Sequence, residues 1–380
     1  MARRAFTARS GERSGKKPGE APRTFAARSD SVGSGAIDDD IVIDIQDLSV
    51  SYGSGPQAVR AVRSVSLSIR RGEVLGLAGE SGSGKSTLAF ALTHLLRLPG
   101  HIVSGSVLYH DGSSVVDLAK MRATDLQRYR WEHIAVVFQS AMNALNPVLS
   151  IGAQLKDVLK AHRPDMTRAA REQRSVDLLA TVGIPADRLS AYPHELSGGM
   201  RQRAMIAMAL ALDPEVIVMD EPTTALDVVT QRSILEEIAR LQHARGFTVV
   251  FITHDLSLLL EFANRVAIMY AGRIVELATV ASLLGNAQHP YTRGLFHSFP
   301  SVSEDSETLE GIPGFPPDLS ALPRGCAFAP RCAHAVDLCV EREPPLSAVG
   351  DDDRADHVAA CWLESFGGSG ASGGGTEPES

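Results

Sequence analysis

Residues 79–86 read Gly-Glu-Ser-Gly-Ser-Gly-Lys-Ser, which fits Gly-x-x-x-x-Gly-Lys-Ser/Thr, and Thr87 follows. The stretch before it, EVLGLAG, is a short apolar strand. The stretch after it, KSTLAFALTHLLR, sets Leu88, Ala91, Leu92, Leu95 and Leu96 on one helical face. A strand that enters a helix through such a loop confines the chain to phosphate-binding α/β folds. Gly79, Ser81, Gly82 and Gly84 belong to a turn whose glycines let backbone N–H groups point inward at phosphates. Lys85 supplies a point charge to the outer phosphates, and the Ser86 hydroxyl is placed for Mg²⁺. The positive end of the following helix faces the same anion. The ligand implied is a nucleoside triphosphate.

The rest of the chain alternates in the way a parallel sheet with covered faces requires. IVIDIQDLSVSY from Ile41 and AVRAVRSVSLSI, with Val59, Val62, Val65, Leu67 and Ile69, read as half-buried strands. Further strands are expected at 134–138, 216–219 and 248–252, and helices at 198–212, 228–244 and after His254. Residues 150–192 are polar and helical, with Leu155, Val158, Leu159, Val176, Leu178, Leu179 and Val182 as apolar points. They read as an inserted helical subdomain, at about 140–200. The expected organisation is a low-complexity N-terminal tail at 1–39, a nucleotide-binding core at 40–290, a small module at 291–366 and a flexible end at 367–380. A net charge of -8 argues against a general nucleic-acid binder. No apolar run approaches the roughly 18 residues of a membrane span. The basic N-terminus lacks the apolar stretch of a secretory signal, so a reducing compartment is expected.

Two more segments carry chemistry. In VIVMDEP, residues 216–222, Asp220 emerges from a buried strand to hold Mg²⁺ through water, and Glu221 is placed to polarise the attacking water. Leu196-Ser197-Gly198-Gly199-Met200 opens a helix whose apolar face runs through Ala204, Ala207, Met208 and Ala211. Ser197 is a good N-cap, and with the free N–H groups it also suits a γ-phosphate. Because one loop already cradles a nucleotide, this second anion site is expected to face a nucleotide on another subunit.

With these motifs in this order, residues 41–285 resemble the nucleotide-binding subunit of an ABC transporter. The resemblance implies a role for several more positions. Tyr52 fits the aromatic that stacks on adenine, and Gln139 the glutamine that reaches Mg²⁺ and water and senses the membrane partner. Thr224-Ala225-Leu226-Asp227 fits the D-loop, and His254 the switch histidine at the γ-phosphate. The signature ends in Met200 where the commonest family form has Gln. That form resembles the oligopeptide/dipeptide branch, as do Asn143-Ala144-Leu145-Asn146-Pro147 and His289-Pro290-Tyr291-Thr292-Arg293. Gln139-Ser140-Ala141 departs from that branch's usual Gln-Asp/Glu-Pro.

The resemblance implies a three-layer α/β ATPase core with an antiparallel edge sheet and a helical subdomain. It implies ATP and Mg²⁺, a head-to-tail sandwich with a second ATP-binding subunit (paralogue or self), and two transmembrane permeases. An extracytoplasmic substrate-binding protein completes the machine, which places this chain on the cytoplasmic face of the membrane. Peptides are the expected cargo, with nickel chelates or oligosaccharides as alternatives in the same branch. The rival is a non-transport ABC ATPase, whose coiled coils, tandem ATPase units or zinc insertions are not visible here.

All four cysteines, Cys326, Cys332, Cys339 and Cys361, lie in the last sixth of the chain. Four thiolates suit an iron–sulfur cluster or tetrahedral Zn²⁺, or they remain thiols. The resemblance favours a 4Fe–4S cluster, because the same branch can hold one in its C-terminal region.

Overall fold

A computed structural model of the chain describes residues 40–55, 57–138, 144–224, 226–298, 311–350 and 356–363. Two sheets organise the fold. The strands are β1 (Ile41–Tyr52), β2 (Val59–Arg70), β3 (Val74–Ala78), β4 (Gly100–His110), β5 (Val115–Asp117) and β6 (Ile134–Val137). They continue with β7 (Val216–Asp220), β8 (Thr248–Ile252), β9 (Arg265–Tyr270), β10 (Arg273–Thr279), β11 (Ser347–Ala348) and β12 (Val358–Ala359). The smaller sheet is antiparallel, in the order β2-β1-β4-β5. The larger runs β11-β12-β10-β9-β3-β8-β7-β6. Its centre is parallel, β9 with β3, β3 with β8, β8 with β7 and β7 with β6.

The parallel strands are apolar on both faces, and their two-residue period divides them between two cores. Val216 and Val218 of β7 and Val250 and Ile252 of β8 face the smaller sheet, together with Leu75 and Leu77 of β3. Their neighbours Ile217, Met219, Val249 and Phe251 face the opposite way, into the core shared with the helical segment. Continuous apolar runs are what burial on both faces demands. Helix α1 (Lys85–Leu92) packs Leu88, Ala91 and Leu92 into the core between the sheets. It is shorter than the sequence suggests. Leu95 and Leu96 fall outside it, because the helix closes at Leu92 with Thr93 as its cap and His94, the next residue, takes a left-handed conformation (φ 52°).

Helix α2 (Ala123–Glu132) precedes β6. Between β6 and β7 lie α3 (Ile151–His162), α4 (Arg168–Thr181) and α5 (Gly198–Ala209), joined through Leu155, Leu159, Leu178, Leu179 and Val182. Helix α6 (Val228–Arg245) links β7 to β8, and α7 (Leu256–Phe262) links β8 to β9. After β10 come α8 (Val280–Asn286) and α9 (Pro290–His297). The C-terminal residues join the larger sheet. β12 pairs with β10, and Ala327 and Phe328 are part of the main core. No described helix is long and apolar enough to cross a membrane.

Candidate nucleotide-binding and hydrolysis site

Strands β3, β7 and β8 are parallel, so the loops that follow them leave the sheet on one edge. In such sheets the crevice beyond the carboxyl ends is where ligands bind. Here it receives residues 79–84, 221–224 and 253–255. Sequence separations of more than a hundred residues are closed by the sheet order alone.

The phosphate loop is tightly backed. Gly79 has φ 145° and Gly84 φ 106°, conformations that side chains rarely adopt. A Cβ at Gly79 would lie 2.2 Å from the Met269 carbonyl oxygen, and one at Gly84 would lie 2.2 Å from that of Ala61. Glycine is therefore dictated twice, by torsion and by space. Lys85 is buried (6 % exposed). Its ammonium donates to the carbonyls of Gly79 at 2.7 Å and Glu80 at 2.8 Å. Burial pushes the Lys85 ammonium down from its ordinary value, while Glu221, Asp220 and Glu80 pull the other way.

Ser86 and Asp220 meet directly, the hydroxyl donating to Asp220 Oδ1 at 3.0 Å. Asp220 is buried at the end of β7. Burial pushes its carboxyl up, the Ser86 hydrogen bond and the Lys85 charge partly offsetting this. A hydroxyl and a carboxylate on adjacent oxygens form the hard donor set that Mg²⁺ prefers, with phosphate oxygens and water completing the shell. These residues therefore fit the ion. Tyr52, at the end of β1, reaches Thr87 across 3.3 Å, which puts its ring beside the start of α1.

Glu221 has φ 45°, an uncommon conformation for a residue with a side chain. Its backbone N–H donates to the Ile252 carbonyl at 2.8 Å, which ties the turn to β8. The carboxylate accepts from Thr224 Oγ1 at 3.0 Å and lies 3.3 Å from Nδ1 of His254. The acidic residue after β7 and the histidine after β8 are thus brought together.

Ser197 caps α5, its hydroxyl accepting from the Met200 N–H at 3.3 Å. Among the described residues no hydrogen bond joins Ser197, Gly198 or Gly199 to the phosphate loop. Asp227 caps α6, accepting from Thr230 N–H at 2.9 Å and Thr230 Oγ1 at 2.7 Å. Those bonds hold its carboxyl below the usual range. Gln139 and Asn143 lie outside the described residues, as does Ala225 of the expected D-loop.

The cysteines share one cavity, lined by Cys326, Cys332, Cys339 and Cys361 with Phe328 and Trp362 among its walls. None of the four is in a disulfide. Burial pushes the Cys326 and Cys332 thiols up, and neighbouring thiols add to this. Yet among the described residues no group of three or more His, Cys, Asp or Glu side chains is placed to hold a metal ion. The expected 4Fe–4S cluster, and the Zn²⁺ alternative, therefore have no ligand group among the described residues.

Sequence reasoning missed three residues that brace the site. Thr224 was read only as part of a loop motif, yet it orients the Glu221 carboxylate. The Tyr291 hydroxyl accepts from the Glu80 N–H at 2.8 Å, and Arg331 binds the Glu80 carboxylate. The His-Pro-Tyr-Thr-Arg motif was a signal for Tyr291. Nothing local marks Arg331.

The family model for ABC transporters matches residues 62–224, and that for the oligopeptide/dipeptide transporter C-terminal region matches residues 275–339. The oligopeptide transport ATP-binding protein OppD of Bacillus subtilis is 42% identical over 326 residues, spanning 85% of this chain and 88% of its own. The dipeptide transport ATP-binding protein DppD of Escherichia coli is 39% identical over 312 residues, 82% of this chain and 94% of its own. Among solved structures, the ATP-binding cassette MJ0796, dimeric in a post-hydrolysis state with ADP and Pi, matches 63% of this chain and 98% of its own. It does so at 29% identity with a TM-score of 0.55. With its phosphate loop, Ser86–Asp220 pair and Glu221–His254 pair on one sheet edge, the chain belongs to the ATP-binding subunits of ABC transporters, in the oligopeptide/dipeptide branch.

Proposed function

We propose that this chain hydrolyses ATP to power an importer of oligopeptides or dipeptides, docked on the cytoplasmic face of the membrane. The meeting of Lys85, Ser86, Asp220, Glu221 and His254 at one sheet edge carries the reading. Relatives named for oligopeptide and dipeptide transport point to the cargo.

In this reading the amides of residues 79–84 and the ammonium of Lys85 hold the β- and γ-phosphates. Lys85 exchanges the Gly79 and Glu80 carbonyls for phosphate oxygens, so its charge is kept near the site before the nucleotide arrives. Tyr52 stacks on the adenine. Ser86 and Asp220 would hold Mg²⁺, with Gln139 as a further ligand, and the ion would supply positive charge beside the phosphoryl oxygens. Glu221, turned by Thr224, accepts the proton of the water that attacks the γ-phosphorus as the bond to the β-phosphate oxygen breaks. His254 touches the γ-phosphate and holds Glu221 in line. Ser197, Gly198, Gly199 and Asp227 serve the nucleotide of a second ATP-binding subunit. Closure of the pair drives two permease subunits, fed by a substrate-binding protein.

The direct test is reconstitution with the two permeases and the binding protein in vesicles. ATP turnover is expected to rise with added di- and oligopeptides. Stimulation by a nickel chelate or an oligosaccharide alone would reassign the cargo, and failure to associate with any integral membrane protein would overturn the transport reading.

A further inference from the structure

The hydrolysis chemistry leaves one charged side chain of the phosphate loop unused. Glu80 is the second residue of the loop, and a bare carboxylate there would repel a triphosphate. Arg331, from the C-terminal segment, takes it in a two-pronged ion pair. Nη1 lies 2.7 Å from Oε2 and Nη2 lies 2.9 Å from Oε1. Such parallel bonds fix orientation as well as charge.

The arginine is itself locked. Its side chain is 5 % exposed. Nε donates to the Pro313 carbonyl at 2.7 Å and Nη1 to the Tyr270 hydroxyl at 3.2 Å. The guanidinium sits 5.8 Å from the ring centres of Tyr270 and Phe328. Glu80 is also gripped along its backbone. Its N–H donates to the buried Tyr291 hydroxyl, and its carbonyl accepts from Lys85. The residue that receives the Lys85 ammonium is therefore held by two others from the C-terminal segment.

We propose that Arg331 is a positioning residue for ATP: by neutralising and fixing Glu80 it keeps the phosphate loop in its anion-binding form. The C-terminal segment is then a working part of the nucleotide site. A plain structural tether would anchor that segment without affecting nucleotide affinity. The proposal rests on the nucleotide binding at this loop, which Lys85→Ala tests separately.

The experiment measures binding of a fluorescent ATP analogue and steady-state hydrolysis on the full chain. Arg331→Met strands a part-buried carboxylate beside the phosphates, so affinity is expected to fall about tenfold, within the usual span of couplings between sites. KM should rise in step while kcat at saturating ATP changes less than about twofold, the mark of lost ground-state binding. Adding Glu80→Gln removes the stranded charge and should restore affinity to within about threefold of wild type, since replacing both partners of a pair is far milder than breaking it. An Arg331→Met protein that binds as wild type, or a double variant no better than the single, overturns the proposal. Wild-type hydrogen exchange guards against a variant that does not fold. Because coupling is reciprocal, ATP must slow exchange in residues 325–332 as well as in the loop. Protection of the loop alone also overturns it. Unchanged binding in Lys85→Ala would instead mean that the nucleotide lies elsewhere.

Discussion

Glu221 spends conformational energy to stand where it does. A left-handed φ of 45° costs on the order of 1 kcal/mol or more for a residue with a Cβ. The bond to the Ile252 carbonyl and the Thr224 clasp hold it there. The strain turns the carboxylate away from the line of β7, so that Asp220 and Glu221, neighbours in sequence, face different tasks. Asp220 stays on Ser86 and Glu221 turns to His254. If Glu221 is the base, Glu221→Gln keeps the size and the Thr224 contact but loses basicity. ATP affinity should persist while single-turnover hydrolysis slows roughly 10²–10⁴-fold. A near-normal rate would remove Glu221 from that role. The sequence made each of these residues visible, because strand and loop motifs are local. It did not show that His254 reaches Glu221, because that contact depends on β7 and β8 being neighbours.

At the level of elements, α9 shows how the C-terminal segment is coupled to the core. His289 caps it, Nδ1 accepting from the Tyr291 N–H at 3.1 Å, while the His289 N–H donates to the buried Glu276 carboxylate at 3.0 Å. A protonated Nδ1 could not accept, and burial drives the imidazole from 6.5 down to about 4, against the pull of Glu276. The sign follows from linkage. Below pH 6.5 the unfolded chain takes up a proton that the folded chain refuses until about pH 4, so stability falls as pH drops through that window. Between pH 7 and pH 5 the loss attributable to His289 is about 2 kcal/mol. His289→Asn offers a capping oxygen without a titrating group. Urea unfolding of both proteins at the two pH values should show the variant losing less stability by roughly that amount. Equal losses would assign the pH dependence elsewhere. The longer elements β1, β2, β7, β8 and α6 were legible from hydrophobic period, whereas β9, β10 and α8 next to this helix were not named from it. β11 and β12, of two residues each, were not legible, because strands that short carry no period and are fixed only by pairing, β12 with β10 and β11 with β12.

On the scale of the molecule, the signature segment is complete as a helix start and incomplete as a phosphate site. Ser197 spends its hydroxyl on Met200, and nothing described connects the segment to its own phosphate loop. Yet α5 presents the positive end of a twelve-residue helix. Beside Asp227, Val228 and Val229 are each 79 % exposed, apolar surface placed where a partner would cover it. This asymmetry suits an arrangement in which each subunit offers its phosphate loop to one nucleotide and its signature to another. Two anion sites in one chain imply the same arrangement from the sequence alone. Gly198→Val is the discriminating variant, because bulk at the helix start blocks close approach of a phosphate on another subunit without touching Lys85. ATP affinity of the monomer is expected to match wild type within about twofold, since the phosphate contacts at its own loop are untouched. ATP-driven association, with itself or with a paralogous subunit, is expected to be lost. Sedimentation with and without ATP, in a background carrying Glu221→Gln to prevent turnover, reads the two effects apart. Loss of monomer affinity would mean that the signature serves its own nucleotide, and unimpaired association would remove it from the interface.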